Sequence, residues 1–306
     1  MSGRRRAGAL LRAGLAAAAA TAGARRLLET DPPGGAARWT RTNHRGEPVS
    51  MLEGPAVAAG LVAGALAGGE GRTRSAMALA TAGAGAFGLV DDLAEDTSTR
   101  TKGLRGHLGA LAEGRLTTGG LKVLGIGATS MVAAAVGTRR TGGALGHATD
   151  VVVNGALVAG TANLLNLLDL RPGRALKSGV ALSVPLAAGG GGAGAAAVGA
   201  VVGAAAVAAP GDLAERDMLG DGGANALGAL VGSQWAFSAS RGVRLAALAG
   251  VVGLTLASER VSFSAVIERT PWLHRVDRVG RRPSAGPAAE ATAEEPAGPA
   301  DRDTPA

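Results

Sequence analysis

Nine stretches nearly free of charge follow one another along this chain, and they constrain its fold more than any other feature. They run over 7–24, 52–69, 75–90, 121–137, 151–168, 179–190, 194–209, 224–237 and 243–258. One such stretch fits a buried helix of a soluble protein, but nine in series are typical of membrane-spanning helices. Several are shorter than the ~20 residues that a spanning helix usually needs, so their ends must extend into flanking residues or the bilayer must thin. For 179–190, the shortest, a buried soluble helix is an equally good interpretation.

The composition favours a membrane over a water-soluble core. Hydrophobic residues make up 47 % of the chain but aromatic residues only 2 %, so a soluble core would lack its usual large side chains. The 51 glycines would weaken helices in water, whereas in a bilayer they let helix backbones approach closely, and Gly60, Gly64 and Gly68 have that spacing. We therefore expect an all-α, polytopic membrane bundle of about nine transmembrane helices over 1–282. The proline-rich segment 283–306 is expected to be a disordered tail.

The basic residues predict an orientation and exclude one class of partner. Formal net charge is +7, and the loops expected on one side hold 20 Lys and Arg against 9 on the other. The richer side should be cytoplasmic, which places the N-terminus outside. Arg4, Arg5 and Arg6 before the first stretch instead resemble a signal-anchor with its N-terminus inside, and the other eight spans keep their orientation if that segment is cleaved or lies flat. Without interleaved aromatic residues, these clusters do not indicate nucleic-acid binding.

Polar residues gather at the predicted cytoplasmic ends of three apolar stretches. These residues are Asp91 and Asp92; Asn163, Asn166 and Asp169; and Asp217 and Asp221. Taken singly, they read as solvated helix caps, interhelical amide contacts or a glycine-rich turn. Taken together on one side, they indicate one acidic site. The three-residue spacing places Asn163, Asn166 and Asp169 on one face, and paired carboxylates suit Mg²⁺, a hard ion that takes oxygen ligands. No cysteine is present and the four histidines are scattered, which excludes cysteine or histidine metal sites.

The order of these motifs resembles a known family. Asp-Asp, then Asn-x-x-Asn-x-x-Asp, then Met-x-Gly-Asp-x-Gly is similar to the polyprenyl-phosphate N-acetylhexosamine-1-phosphate transferases. Segments 41–50 and 259–282 resemble that family's first and last cytoplasmic loops, so the similarity spans about 38–282. Three features depart from the family: 170–173 reads Leu-Arg-Pro-Gly in place of Gly-Leu-Asp-Gly, Met218 replaces a frequent aromatic residue, and the last loop has the single His274 in place of a histidine cluster.

The resemblance implies a Mg²⁺-dependent transfer of a sugar 1-phosphate from a UDP-sugar to a polyprenyl phosphate in envelope glycan synthesis, with release of UMP. The enzyme would lie in the inner (plasma) membrane with cytoplasmic active-site loops, and a homodimer is compatible with it. Alternatives are a non-catalytic relative that binds polyprenyl phosphate as an accessory factor, and a transporter, for which no matching pair of broken helices is found.

The resemblance also implies roles for individual residues. Asp91, Asp92 and Asp221 would be catalytic, the first two acting on the lipid phosphate, and Asp221 and Asp169 would bind magnesium. Substrate contacts would come from Asn163, Asn166, Asp169, Lys102, Lys122 and His274. Arg105, Arg174 and Lys177 are further basic residues available to hold phosphate oxygens.

Overall fold

The computed structural model describes residues 2–43, 45–94 and 117–283, and almost all of its regular structure is helical. The twelve helices described are α1 (Gly3–Thr30), α2 (Glu53–Gly68), α3 (Gly71–Ala94), α4 (Thr118–Gly137), α5 (Ala144–Leu168), α6 (Arg174–Ser183), α7 (Leu186–Gly189), α8 (Gly191–Asp212), α9 (Gly220–Ser238), α10 (Arg241–Ser258), α11 (Phe263–Arg269) and α12 (Pro271–Arg278). The expected tail lies outside the described residues, except for Pro283.

The prediction of an all-α membrane bundle is confirmed, but its number of spans is not. By length and apolar composition, six helices can cross a membrane: α1, α3, α4, α5, α8 and α10; α2 is apolar but shorter. The stretch 179–190 is not one helix, because α6 ends at Ser183 and α7 begins after Pro185. Proline lacks the amide hydrogen that a continuous helix needs and clashes with the preceding turn.

Small residues bring α1 and α2 into direct contact, as the glycine spacing predicts. A Cβ on Gly60 would overlap the Thr21 hydroxyl, one on Gly64 would lie 2.9 Å from the Ala13 carbonyl oxygen, and one on Gly68 would lie 2.7 Å from the Ala9 carbonyl oxygen. Because lipid is as apolar as a side chain, close van der Waals packing of this kind is what holds membrane helices together.

Helix α9 lies at the centre of the bundle and contacts α2, α3, α5, α6 and α8. It satisfies the backbone that the break between α6 and α7 exposes. Gln234 donates hydrogen bonds of 2.9 Å to the Ser183 carbonyl and 3.1 Å to the Gly194 carbonyl, and the Trp235 indole donates one of 2.9 Å to the Leu182 carbonyl. A broken helix inside an apolar bundle requires such donors, since no water replaces them.

A short β-hairpin marks one end of the bundle, which we call the hairpin end. Strands β1 (Thr40–Thr42) and β2 (Pro48–Ser50) pair antiparallel. Ser50 also pairs with the loop before α9, because its amide donates to the Arg216 carbonyl and its carbonyl accepts from the Met218 amide. The hairpin therefore rests beside the segment that leads into Asp221. We call the opposite end, where α2 turns into α3, the far end.

Candidate functional site

One lysine joins two of the predicted catalytic aspartates at the hairpin end. Lys122, in the first turns of α4, donates to an oxygen of Asp91 at 2.5 Å and forms a second short contact with Asp221. Asp91 comes from the end of α3 and Asp221 from the start of α9. The side chains of Lys122, Asp91 and Asp221 are 17 %, 12 % and 27 % exposed, so the charges are partly withdrawn from water. We call these three residues the lysine cluster.

Asp92 performs a different task from its neighbour. Its two carboxylate oxygens accept hydrogen bonds from the backbone amides of Asp221 at 3.0 Å and Gly222 at 2.8 Å. It therefore caps the first turn of α9, although it belongs to α3, and a carboxylate is favoured at the positive end of a helix dipole. Asp92 holds Asp221 in place, while Asp91 carries the carboxylate that reaches Lys122.

Asn163 and Asn166 line a cavity of about 300 Å³ that begins at the lysine cluster. The cavity lies between α4, α5, α9 and α10, and its polar lining also includes Lys122, Asn225 and Glu259. Its other walls are largely apolar, including Val123, Ile126, Ala159 and Leu167. We call it the lysine cavity. Its lining suits a ligand with an apolar body and an anionic end.

Asp169, predicted to share a face with Asn163 and Asn166, is not part of the lining of that cavity. It is the residue at which α5 ends, with φ −77° and ψ 43°. It lines a second cavity of about 200 Å³ and lies close enough to Asp92 and Asp221 for their charges to act on it. Helical spacing fails at a terminal residue, because its backbone no longer follows the helix. The second cavity also contains Asp212, Glu215, Asp217 and Met218, and we call it the acidic cavity.

Within the described part of the chain, four carboxylates line the acidic cavity and two of them are paired with arginine. Arg25 binds Asp217 at 2.7 Å, and Arg45 binds one oxygen of Glu215 at 2.8 Å. Among the residues that the structure describes, the other Glu215 oxygen and both oxygens of Glu53 have no hydrogen-bond partner, and all three are buried. Burial, and next the negative charge of Asp212, raise the pKa of Asp169 well above its ordinary value.

Glu215 also has an unusual backbone conformation. Of the described residues, it is the one non-glycine with a positive φ, at 59°. A side chain is rarely tolerated in this conformation, and such residues gather at functional sites.

The last polar segment closes over the same end. Arg174, at the start of α6, makes two hydrogen bonds to Asp277 of α12, at 2.8 and 3.2 Å, and both side chains are buried. Lys177 donates to the Asp277 main-chain carbonyl. These two basic residues therefore hold the C-terminal segment. His274 lies on α12 and is not among the lining residues of either cavity.

Other residues complete the comparison with the sequence-based site. Lys102 and Arg105 lie outside the described residues. Sequence reasoning missed Asn225, whose amide donates to the Asp221 carbonyl, and Glu53 and Asp212. For Asn225 the signal was a polar residue one turn after Asp221. For Glu53 and Asp212 it was a carboxylate at the start of the apolar α2 and at the end of the apolar α8, respectively.

No group of three or more Asp, Glu, His or Cys side chains within 2–43, 45–94 and 117–283 is arranged to hold a metal ion by itself. Comparison with known proteins adds no assignment: no family model matches this chain, and no curated protein matches it. The geometry provides one lysine between two carboxylates, at the edge of a largely apolar cavity, in a helical membrane protein.

Proposed function

We propose that this protein transfers a sugar 1-phosphate from a UDP-sugar to a polyprenyl phosphate at the cytoplasmic face of the inner membrane. The observation that carries the proposal is the lysine cluster, because residues far apart in sequence meet there and its lysine also lines a largely apolar cavity. A phosphoryl transfer from a water-soluble donor to a lipid needs charged groups beside a space for the apolar chain. It depends on alignment and on neutralising charge more than on covalent chemistry.

The lysine cavity would take the acceptor. Its apolar walls suit the first isoprene units of the lipid, and Lys122 at its inner end supplies an ammonium for the lipid phosphate. Asn163, Asn166 and Asn225 supply amide groups along the same wall. In this arrangement an incoming phosphate competes with Asp91 and Asp221 for the lysine.

The carboxylates of the cluster suit a magnesium ion. Lys122 contacts both Asp91 and Asp221, so oxygens of the two side chains lie within reach of one cation. Mg²⁺ commonly binds one or two carboxylates and completes its shell with water and substrate phosphates. When bound there, it would neutralise charge on the transferred phosphoryl group. Asp91, in place of the predicted Asp169, is the partner of Asp221 that this geometry favours.

The reaction balances without any further reactant. An oxygen of the lipid phosphate forms a bond to the sugar-bearing phosphorus of the donor, and the bond from that phosphorus to the bridging oxygen of UMP breaks. Asp92 would act as a positioning residue, since both its oxygens hold the α9 backbone that carries Asp221. The donor would approach from the side of Asp169 and Met218.

UMP release from reconstituted protein tests the proposal. Protein in lipid nanodiscs is given a polyprenyl phosphate, Mg²⁺ and a panel of UDP-sugars. Asp221→Asn should abolish turnover, whereas Glu70→Gln, an exposed carboxylate at the far end, should leave it unchanged. If protein that is shown to be folded releases no UMP from any donor, the proposed enzymatic activity is refuted.

A non-catalytic polyprenyl-phosphate-binding protein is the second candidate. It is favoured by the four carboxylates that line the acidic cavity, of which only Asp217 and Glu215 are paired with arginine among the described residues, because such a lining repels a nucleotide diphosphate. The loop 170–173, which departs from the family pattern, favours it too. This candidate predicts that polyprenyl phosphate binds and raises thermal stability in a Lys122-dependent way, with no UMP formed.

A further inference from the structure

Helix α12 presents its apolar side away from the protein. Trp272 and Val276, four residues apart, share one helix face and are 65 % and 54 % exposed; Val279, the residue at which α12 ends, is also 65 % exposed. The opposite side carries Asp277, which is buried against Arg174. A helix packed on a soluble surface would show the reverse arrangement, with its apolar side inward. The outward stripe of Trp272, Val276 and Val279 therefore requires an apolar partner.

The charges around this stripe are cations without partners. Arg260, Arg269, Arg275 and Arg278 are exposed, and among the described residues none of their side chains makes a hydrogen bond or ion pair. Nearby Arg281 and Arg282 are instead bound to Asp277 and Glu47. The stripe is thus flanked by free guanidinium groups, which suit anionic phosphate.

The position of α12 in the chain brings it close to the bilayer surface. Helix α10 is one of the six helices long and apolar enough to cross a membrane, and it ends at Ser258, shortly before α11 begins at Phe263. Tryptophan is enriched at the level of the lipid headgroups, and arginine there reaches toward phosphate.

We propose that α12 lies flat in the headgroup region of the bilayer, with the Trp272 stripe among the upper acyl chains and Arg275 and Arg278 on anionic lipid phosphates. Amphipathic helices with these two features bind membranes in that orientation. The contact has a consequence for the site. Asp277 holds Arg174, which directly follows the loop 170–173 that lines the acidic cavity, so lipid contact at α12 steadies that loop.

The absence of cysteine from the whole sequence permits a clean measurement. Trp272→Cys and, separately, Val276→Cys are spin-labelled in full-length protein reconstituted into vesicles. Arg216→Cys, an exposed position at the same end, is the matched control. Collision rates with oxygen, which partitions into lipid, and with a water-soluble nickel complex are compared.

We expect labels at 272 and 276 to favour oxygen several-fold more than the label at 216 does. Adding phosphatidylglycerol to phosphatidylcholine vesicles should increase that difference, and Arg275→Ala with Arg278→Ala should remove the increase. Equal accessibility to nickel at 272, 276 and 216 overturns the proposal. Dipolar broadening between labels at 272 on separate molecules also overturns it, because a second copy of the chain would then cover the stripe.

Discussion

Replacing Lys122 with methionine tests whether the lysine cluster is a balanced set of charges. The substitution keeps much of the side-chain volume and removes the ammonium that contacts Asp91 and Asp221. Breaking a buried ion pair by removing one partner costs roughly 3–5 kcal/mol. The Asp221 side chain is 27 % exposed, so water can hydrate its carboxylate after the lysine is removed, which reduces this cost. We therefore expect the free energy of unfolding to fall by about 2–3 kcal/mol.

The same variant should gain a response to magnesium. Without the ammonium, two carboxylates face each other and a divalent cation can replace the lost charge. An ion present at a hundredfold excess over its dissociation constant stabilises by about 2.7 kcal/mol, enough to restore most of the loss. The native protein should gain less, because its lysine competes for the same oxygens.

Unfolding by SDS in bicelles, with and without MgCl₂, measures both effects. Arg140→Met removes an exposed cation at the far end and should change neither quantity. The combination of Lys122→Met with Asp91→Asn should recover part of the stability, since it removes one of the two unpaired charges. The reasoning is refuted if Lys122→Met is as stable as the native protein, or if magnesium stabilises both proteins equally.

Three further substitutions test the packing and the loop contacts. Gly64→Ala should lower the free energy of unfolding, measured by thermal denaturation, by about 1–3 kcal/mol because the added Cβ lacks room. Gly127→Ala is the control: a Cβ there has no atom of another described helix within 4 Å, so it should be neutral or slightly stabilising. Gln234→Leu should cost about 1–3 kcal/mol in SDS unfolding, since two buried carbonyls lose their donor. Burial raises the pKa of Asp277, but Arg174 outweighs burial and holds that pKa below its ordinary value. The stability that ionised Asp277 contributes is therefore present above the pKa of the unfolded state and is lost as pH falls through the pKa of the folded state. The protection of 263–278 against hydrogen exchange, taken relative to the intrinsic exchange rate at each pH, should therefore fall below about pH 4, and Asp277→Asn should lower that protection at neutral pH.

The sequence was informative where one physical rule dominates. Charge-free stretches predict helices because an apolar medium forces every backbone group to pair within its own segment, and the convergence of Asp91 with Asp221 was expected from the alternation of spans. The break at Pro185 could also have been read from the residue itself. The number of spans could not be predicted from the sequence. Helix α2 is apolar but short, and α9 lies at the centre because other helices surround it.

The site's finer contacts depend on distances that no spacing rule supplies. Adjacent Asp91 and Asp92 look equivalent in sequence, yet one reaches Lys122 and the other caps α9. Asp169 follows Asn166 by three residues, but the chain leaves the helix at that position and turns its carboxylate into a separate cavity. The two aspartates differ because neighbouring side chains on one helix point about 100° apart, whereas the role of Asp169 is decided by the change of direction at a helix end.

Glycine links the fold to the site. Helix α3 approaches α9 so closely that a Cβ on Gly88 would overlap the Asp221 main-chain carbonyl and lie 2.9 Å from the Gly222 Cα. Only that approach lets Asp92, one turn further along α3, reach the amides of Asp221 and Gly222. A larger residue at 88 would separate the helices and withdraw the cap, and Asp221 would lose its alignment with Lys122. At this position, the small residues that pack the bundle also set the geometry of its acidic site.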